Sequence, residues 1–186
     1  MLAQRRDVDD GITDATLALL RAKGPRAVTV EAVAARSGIA KTTIYRRHRD
    51  RRDMLSAALA RLTTPEPLAA QVEAPDRLRW VIGEAVKTVE VGIGFGGFAA
   101  LLTDDDPDFT KLFRRTLAER RAGLDTVIDA GKADGSFRSD LDGATLVDAI
   151  VGAHVYERAR TGRVASGSET RLFDLFWPVE RRPRCT

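Results

Sequence analysis

Between Arg36 and Arg52 the sequence places Arg36, Lys41, Arg46, Arg47, Arg49, Arg51 and Arg52 against one acid, Asp50. Thr42, Thr43 and Tyr45 are interleaved with them. Hydroxyls of this kind bond phosphates or base edges, a threonine methyl can touch thymine, and arginine reads guanine or neutralises phosphate. This is the chemistry of nucleic-acid recognition rather than turnover. Most basic runs are simply solvated faces, so the surrounding elements decide.

Those elements form a helix-turn-helix. Thr29 suits an N-cap, and Val30 and Glu31 open a short helix with an acid in its first turn, where the helix dipole favours it. Ser37-Gly38 ends that helix, because Gly38 can take the left-handed conformation of a tight turn. Ile39 is an apolar plug, and Lys41 to His48 forms a second short helix. Ile44 is its one large aliphatic residue and anchors it inward, leaving Lys41, Thr42, Thr43, Tyr45, Arg46 and Arg47 on exposed sides. Two short helices joined by a glycine-containing turn define the motif.

The run T-V-E-A-V-A-A-R-S-G-I-A-K-T-T-I-Y-R-R-H, continued by D-R-R-D-M-L, resembles the DNA-binding domain of the tetracycline-repressor (TetR) family of bacterial transcription regulators. The resemblance covers about residues 8 to 62. It implies a three-helix reading head, a helical C-terminal domain that binds a small molecule and pairs two subunits, and release of DNA on ligand binding. It also implies that Lys41, Thr42, Thr43 and Arg46 contact bases or nearby phosphates, and that Tyr45 and Arg51 grip the backbone. Thr29, Arg47 and His48 complete the expected DNA-contacting set. Two positions depart from the family pattern: Ala40 replaces a capping serine, a bond worth about 1 kcal/mol, and His48 replaces a bulky aromatic.

Other chemistry is thin. His48 and His154 are the only histidines, and no nucleophile motif supports a triad around His154. Asp104-Asp105-Asp106-Pro107-Asp108 lacks the alternating spacing of a calcium loop and reads as a helix-capping turn. Gly92-x-Gly94-x-x-Gly97 satisfies a dinucleotide fingerprint formally, but no strand precedes it and no βαβ pattern surrounds it. These glycines instead break helices or let them pack closely. No catalytic residue, metal site or cofactor is expected.

The 186 residues suit one compact unit or two small ones sharing an interface. Charge is unevenly spread: residues 1–62 carry 13 Lys/Arg and 7 Asp/Glu, whereas residues 63–186 carry 17 and 20. A basic head on a mildly acidic body is the footprint of a DNA binder with a separate second domain. The only cysteine, Cys185, cannot form an intrachain disulfide, consistent with a reducing cytoplasm. No run approaches a membrane span and no signal peptide is visible, so a soluble cytoplasmic protein with no membrane partner is expected.

The pattern is all-α. Met1 to Arg6 reads as a frayed basic arm, and a first helix from about Asp9 to Lys23 carries Ile12, Ala15, Leu19 and Leu20 at helical spacing. Asp50 caps a helix through Leu62. Thr63-Thr64-Pro65-Glu66-Pro67 marks the boundary between a DNA-binding domain, 1–62, and a ligand-binding and dimerisation domain, 63–186. Beyond it, helices are expected from Asp76 to the glycines at 92–97, over Phe98 to Leu102, from about Asp108 to Lys132, from Leu141-Asp142 to about Thr161, and from Glu169 to Trp177, where Pro178 discourages extension. Trp80, Phe95, Phe98, Phe113, Leu117, Leu124 and Tyr156 could line an apolar pocket with His154 as a polar anchor, although each alone could be ordinary core. Val147, Ile150, Val151 and His154 on one helix, with Leu172, Leu175, Phe176 and Val179 on the next, offer apolar faces for pairing with a second copy; completion of the monomer core is the alternative.

The reading is therefore a ligand-released repressor acting as a homodimer on a palindromic operator in double-stranded DNA. The alternatives are a ligand-independent helical DNA-binding protein, an activator of the same fold, and, least favoured, a small helical enzyme.

Overall fold

The structure, a computed structural model, describes residues 2–69 and 72–180, with side chains placed for 7–69 and 72–177. The side chains of the arm Met1–Arg6, together with Val179 and Cys185, lie outside that description. Among the described residues all regular structure is helical: α1 (Leu2–Lys23), α2 (Val30–Ser37), α3 (Lys41–Arg47), α4 (Arg51–Ala60), α5 (Ala74–Lys87), α6 (Gly94–Thr103), α7 (Pro107–Ala133), α8 (Gly143–Thr161) and α9 (Ser168–Glu180). A 3₁₀ turn, Pro25–Ala27, follows α1, and a π-helical turn, Thr88–Ile93, joins α5 to α6. Helix α9 continues past Pro178, which removes one backbone N–H without ending the helix.

The chain divides into two compact units. The first is Met1–Thr64 with Thr88–Glu119, and the second is Pro65–Lys87 with Arg120–Thr186. The boundary read from the prolines lies within two residues of the first passage, but it leaves out the return of residues 88–119 to the N-terminal unit. The reason is apolar. Ile93, Ala100, Phe109 and Phe113 share one buried cluster with Ile12, Leu20, Val28, Val33, Ile44, Met54 and Leu55. Burying Ile93, Phe109 and Phe113 contributes roughly 1.5–3 kcal/mol each, which favours the return of the segment to this unit.

The glycines at 92–97 also serve this packing. Gly94 has φ +66°, and a Cβ there would lie 2.8 Å from Arg21 Cα. At Gly96 a Cβ would approach the Arg21 carbonyl oxygen to 3.1 Å and the Gly24 nitrogen to 3.2 Å. The end of α1 therefore lies backbone-close to the start of α6, and Arg21 Nε donates to the Gly92 carbonyl at 3.0 Å. Burial holds the Arg21 guanidinium below its usual pKa, with Asp14 opposing the shift. No nucleotide fold accompanies the motif, and the helical stretch here runs Gly94–Thr103 rather than starting at Phe98.

The second unit has its own core, in which Leu78, Val81, Ile82, Leu124, Ile128, Phe137, Leu146 and Ile150 are buried together. The run Ala74–Thr103 contains a window apolar enough, at mean hydropathy 1.4, to pass as a membrane span. This corrects the expectation that no such run exists. Leu78 and Ile82 of this run are buried in the second unit's core and Ile93 in the first unit's.

Candidate nucleic-acid interface

Local chemistry sets the frame of the motif. Thr29 Oγ1 accepts the Ala32 N–H at 3.1 Å, and Gly38 closes α2 at φ +73°. Asp50 Oδ1 caps α4 by accepting the Asp53 N–H at 2.7 Å. Ala40, at the N-cap of α3, supplies no side-chain bond. The helix is held instead by Ile44, 0% exposed, in the core of the first unit.

With Ile44 inward, Lys41, Thr42, Tyr45 and Arg46 lie on the exposed side of α3, and Thr43 is half-buried. Tyr45 is 55% exposed, unusual for an aromatic residue lacking a partner surface. Arg36, Arg49 and Arg52 add exposed positive charge. Lys41 pairs loosely with Glu31 at 3.4 Å. Glu31's own backbone N–H, then Lys41, hold its carboxyl below the ordinary range.

Four expected contact residues are engaged elsewhere. Thr29 spends its oxygen on the cap. Arg47 turns toward α1 and binds Asp9. His48 is the half-buried C-cap of α3. Arg51 points inward: Nε donates to the Val28 carbonyl at 2.8 Å, and Nη2 donates to the Pro25 carbonyl and to Asp106. Arg51, expected to grip phosphate, makes its bonds in this structure within the unit, as a brace.

The acidic turn after α6 completes that brace. Asp106 accepts from Arg51 and, through Oδ1, from the Phe109 N–H at 3.1 Å, capping α7. Arg26 Nη2 donates to the Asp105 carbonyl at 2.7 Å, and its Nε lies 3.0 Å from Asp105 Oδ2. Burial, the largest single influence, pushes the Asp106 carboxyl up, but Arg51, the Phe109 N–H and the charge of Arg26 together hold it below its ordinary pKa. Sequence reasoning found the cap and missed the two arginines, 79 and 55 residues away. No metal-binding cluster of His, Cys, Asp and Glu occurs among the described residues.

The expected pocket residues divide between the units. Phe95, Phe98, Phe113 and Leu117 belong to the first, and Trp80, Leu124, His154 and Tyr156 to the second. Phe113 is core, stacked on Phe109 with ring centroids 5.7 Å apart. His154 is 1% exposed, whereas Tyr156 is 67% exposed. A groove of about 200 Å³ in the first unit is lined instead by Ser56, Leu59 and Ala60 of α4, by Thr63 just beyond it, and by Leu112 and Arg115 of α7.

The expected pairing face also needs correction. Val147, Ile150 and Leu172 are buried in the second unit's own core, and Val151 and Phe176 are partly buried against it. Among the described residues of that set, Leu175, 62% exposed, is the one outside that core.

A capped helix-turn-helix with a basic, hydroxyl-bearing outer face defines a DNA-reading module. Residues 12–58 match the family model for bacterial regulatory proteins of the tetR family. That match covers the reading module; over the chain as a whole the likeness to solved structures is one of fold. A transcriptional regulator from Saccharomonospora viridis in complex with choline is 19% identical, with TM-score 0.69, over 92% of this chain and 96% of its own. The fatty acid degradation regulator FadR from Bacillus halodurans is 17% identical, with TM-score 0.66, over 90% of this chain and 93% of its own. FadR from Bacillus subtilis in complex with stearoyl-CoA is 17% identical, with TM-score 0.62, over 89% and 95%. No curated protein matches the chain at a significant level.

Proposed function

We propose that the chain is a ligand-released repressor that binds a palindromic operator as a homodimer in the bacterial cytoplasm, with residues 1–62 reading DNA. The observation that carries the reading is the outer face of α3. Lys41, Thr42, Tyr45 and Arg46 stand exposed while Ile44 fixes the helix from behind. Arg46 and Lys41 would meet base edges or phosphates, Thr42 a thymine methyl or phosphate, and Tyr45 the backbone. In a gel-shift assay with genomic fragments, Arg46→Ala should cost about 1–3 kcal/mol at its preferred site and relax the sequence preference. Tyr45→Phe should weaken all sites alike by about 1 kcal/mol. Unchanged binding in both variants would reject this face.

Two copies are needed to read a palindrome, with recognition helices about 34–36 Å apart. The pairing face we favour is the exposed side of α8, Ala149, Gly152, Ala153 and Tyr156, together with Leu175 of α9. Small residues there allow close approach, and Tyr156 and Leu175 supply apolar area that solvent otherwise meets. Sedimentation of the wild type should give a dimer and Ala153→Asp with Leu175→Asp a monomer. A wild-type monomer at micromolar concentration would refute the pairing.

Effector release rests on the neighbours. Two of them are in complex with small molecules as unlike as choline and stearoyl-CoA, which supports a small-molecule site here and leaves its ligand class open. A ligand releases DNA only if it binds the DNA-incompetent state more tightly. A small molecule retained in native mass spectrometry should therefore reduce binding in the same gel-shift assay.

A further inference from the structure

The chain passes between its two units three times, at Thr64/Pro65, Lys87/Thr88 and Glu119/Arg120. Within the second unit all three passages meet at one buried carboxylate, that of Glu84, 3% exposed. For the first passage, the Glu66 N–H donates to Glu84 Oε2 at 3.2 Å. For the second, Lys87 Nζ lies 3.0 Å from Glu84 Oε1 and 3.0 Å from Glu66 Oε2. For the third, Arg120 Nη2, on a side chain 10% exposed, donates to Glu84 Oε2 at 2.6 Å and to the Glu84 carbonyl at 3.2 Å.

Independent packing ties the same segments. Trp80 Nε1 donates to the Glu66 carbonyl at 3.1 Å. A Cβ at Gly123 would lie 2.8 Å from Pro65 Cγ, so α7 lacks a side chain where the first passage crosses it. Glu84 and Glu66 together raise the Lys87 ammonium above its usual pKa, as expected of a cation shared by two carboxylates.

A buried ion pair is poor evidence of stabilisation, because desolvating both charges offsets most of their attraction. Replacing such a pair by apolar residues of similar volume is often neutral for stability. What leucines could not do is hold three separate segments by directional bonds at once. We propose that Glu84 is a clamp on the three passages, and that its release loosens them together and changes affinity for DNA. The second clause rests on the DNA-reading function proposed above; the first does not.

The full chain is compared with Glu84→Gln and with the double variant Glu84→Leu/Arg120→Leu. The double variant keeps an apolar filling and no stranded charge, so it guards against a folding failure of the single one. Hydrogen exchange is followed in peptides spanning 64–69, 84–90 and 116–123, with the core around Ile150 as control. In the double variant, which has no acceptor at this position, we expect exchange in all three peptides to rise together, by about tenfold at the Glu66 amide for the loss of one hydrogen bond, while the control is unchanged. Glu84→Gln, whose amide oxygen can still accept that bond, should raise it less. Operator affinity should shift at least threefold in the double variant. Exchange raised at one passage only, or affinity within the error of wild type, overturns the clamp. Failure of the wild type to bind DNA would refute the regulator reading and leave the exchange pattern to judge the clamp alone.

Discussion

Gly94→Ala is expected to destabilise the first unit by about 3 kcal/mol, from strain at a positive φ together with overpacking. At φ +66° a side chain crowds its own backbone, which costs roughly 1–2 kcal/mol. The second cost is external. The new Cβ would sit 2.8 Å from Arg21 Cα and 3.0 Å from its carbonyl oxygen, both backbone atoms of α1. Neither can rotate away, so α1 and α6 must part. The control is Gly135→Ala, at φ +79° with nothing within 4 Å, which should cost only about 1 kcal/mol. Thermal melts followed by circular dichroism should separate the two variants by roughly 8 °C or more for a unit of this size. Equal melting temperatures would mean that the helices are not in backbone contact. Because α1 buries Ile12 and Leu20 in the core that also holds Ile44, Gly94→Ala should weaken DNA binding as well.

The same glycines show what a sequence can and cannot disclose. Their spacing signals either a helix break or a close approach, and both occur: φ turns positive at Gly94, and α1 touches it. The partner, Arg21, is 71 residues from the Gly92 carbonyl it binds, and no local pattern points to it. The reading head is legible for the opposite reason. The Thr29 and Asp50 caps, the left-handed Gly38 and the Ile44 anchor each act within a few residues, so type and spacing determine them. Apolar faces are ambiguous in a different way. Val147, Ile150 and Leu172 have the periodicity of a pairing surface, but α5 and α7 present enough apolar area to absorb them in the monomer. Only the opposite face of α8, poor in large residues and easily overlooked, stays exposed. Charged networks are least legible. Glu84 and Arg120 look like solvated helix positions until two helices bring them within 2.6 Å.

Arg51 offers the sharpest separation between a resemblance and a geometry. If it grips phosphate, Arg51→Met should lower the salt dependence of DNA binding by about one counterion's worth and leave stability alone. The inward brace requires the reverse. Arg51→Met strips donors from the Val28 and Pro25 carbonyls and leaves Asp106 without its cation, at a cost of about 2 kcal/mol, below that of a fully buried pair because Arg51 is 30% exposed. Asp106→Asn can still cap Phe109 and removes only the charge, so a double-mutant cycle between the two should give a coupling of about 1 kcal/mol. Acid titration supplies a second check. The folded-state pKa of Asp106 is lowered, so its stabilising contribution is complete above the unfolded aspartate value of about 3.9. It fades as pH falls through the lower folded value. Wild type should therefore lose part of its advantage over Asp106→Asn in that acid window and none of it near neutrality. An unchanged melting temperature in Arg51→Met, with a reduced salt slope, would return this arginine to the DNA backbone. A lower melting temperature with an unchanged slope makes it the brace that joins the turn after α1 to the acidic turn before α7.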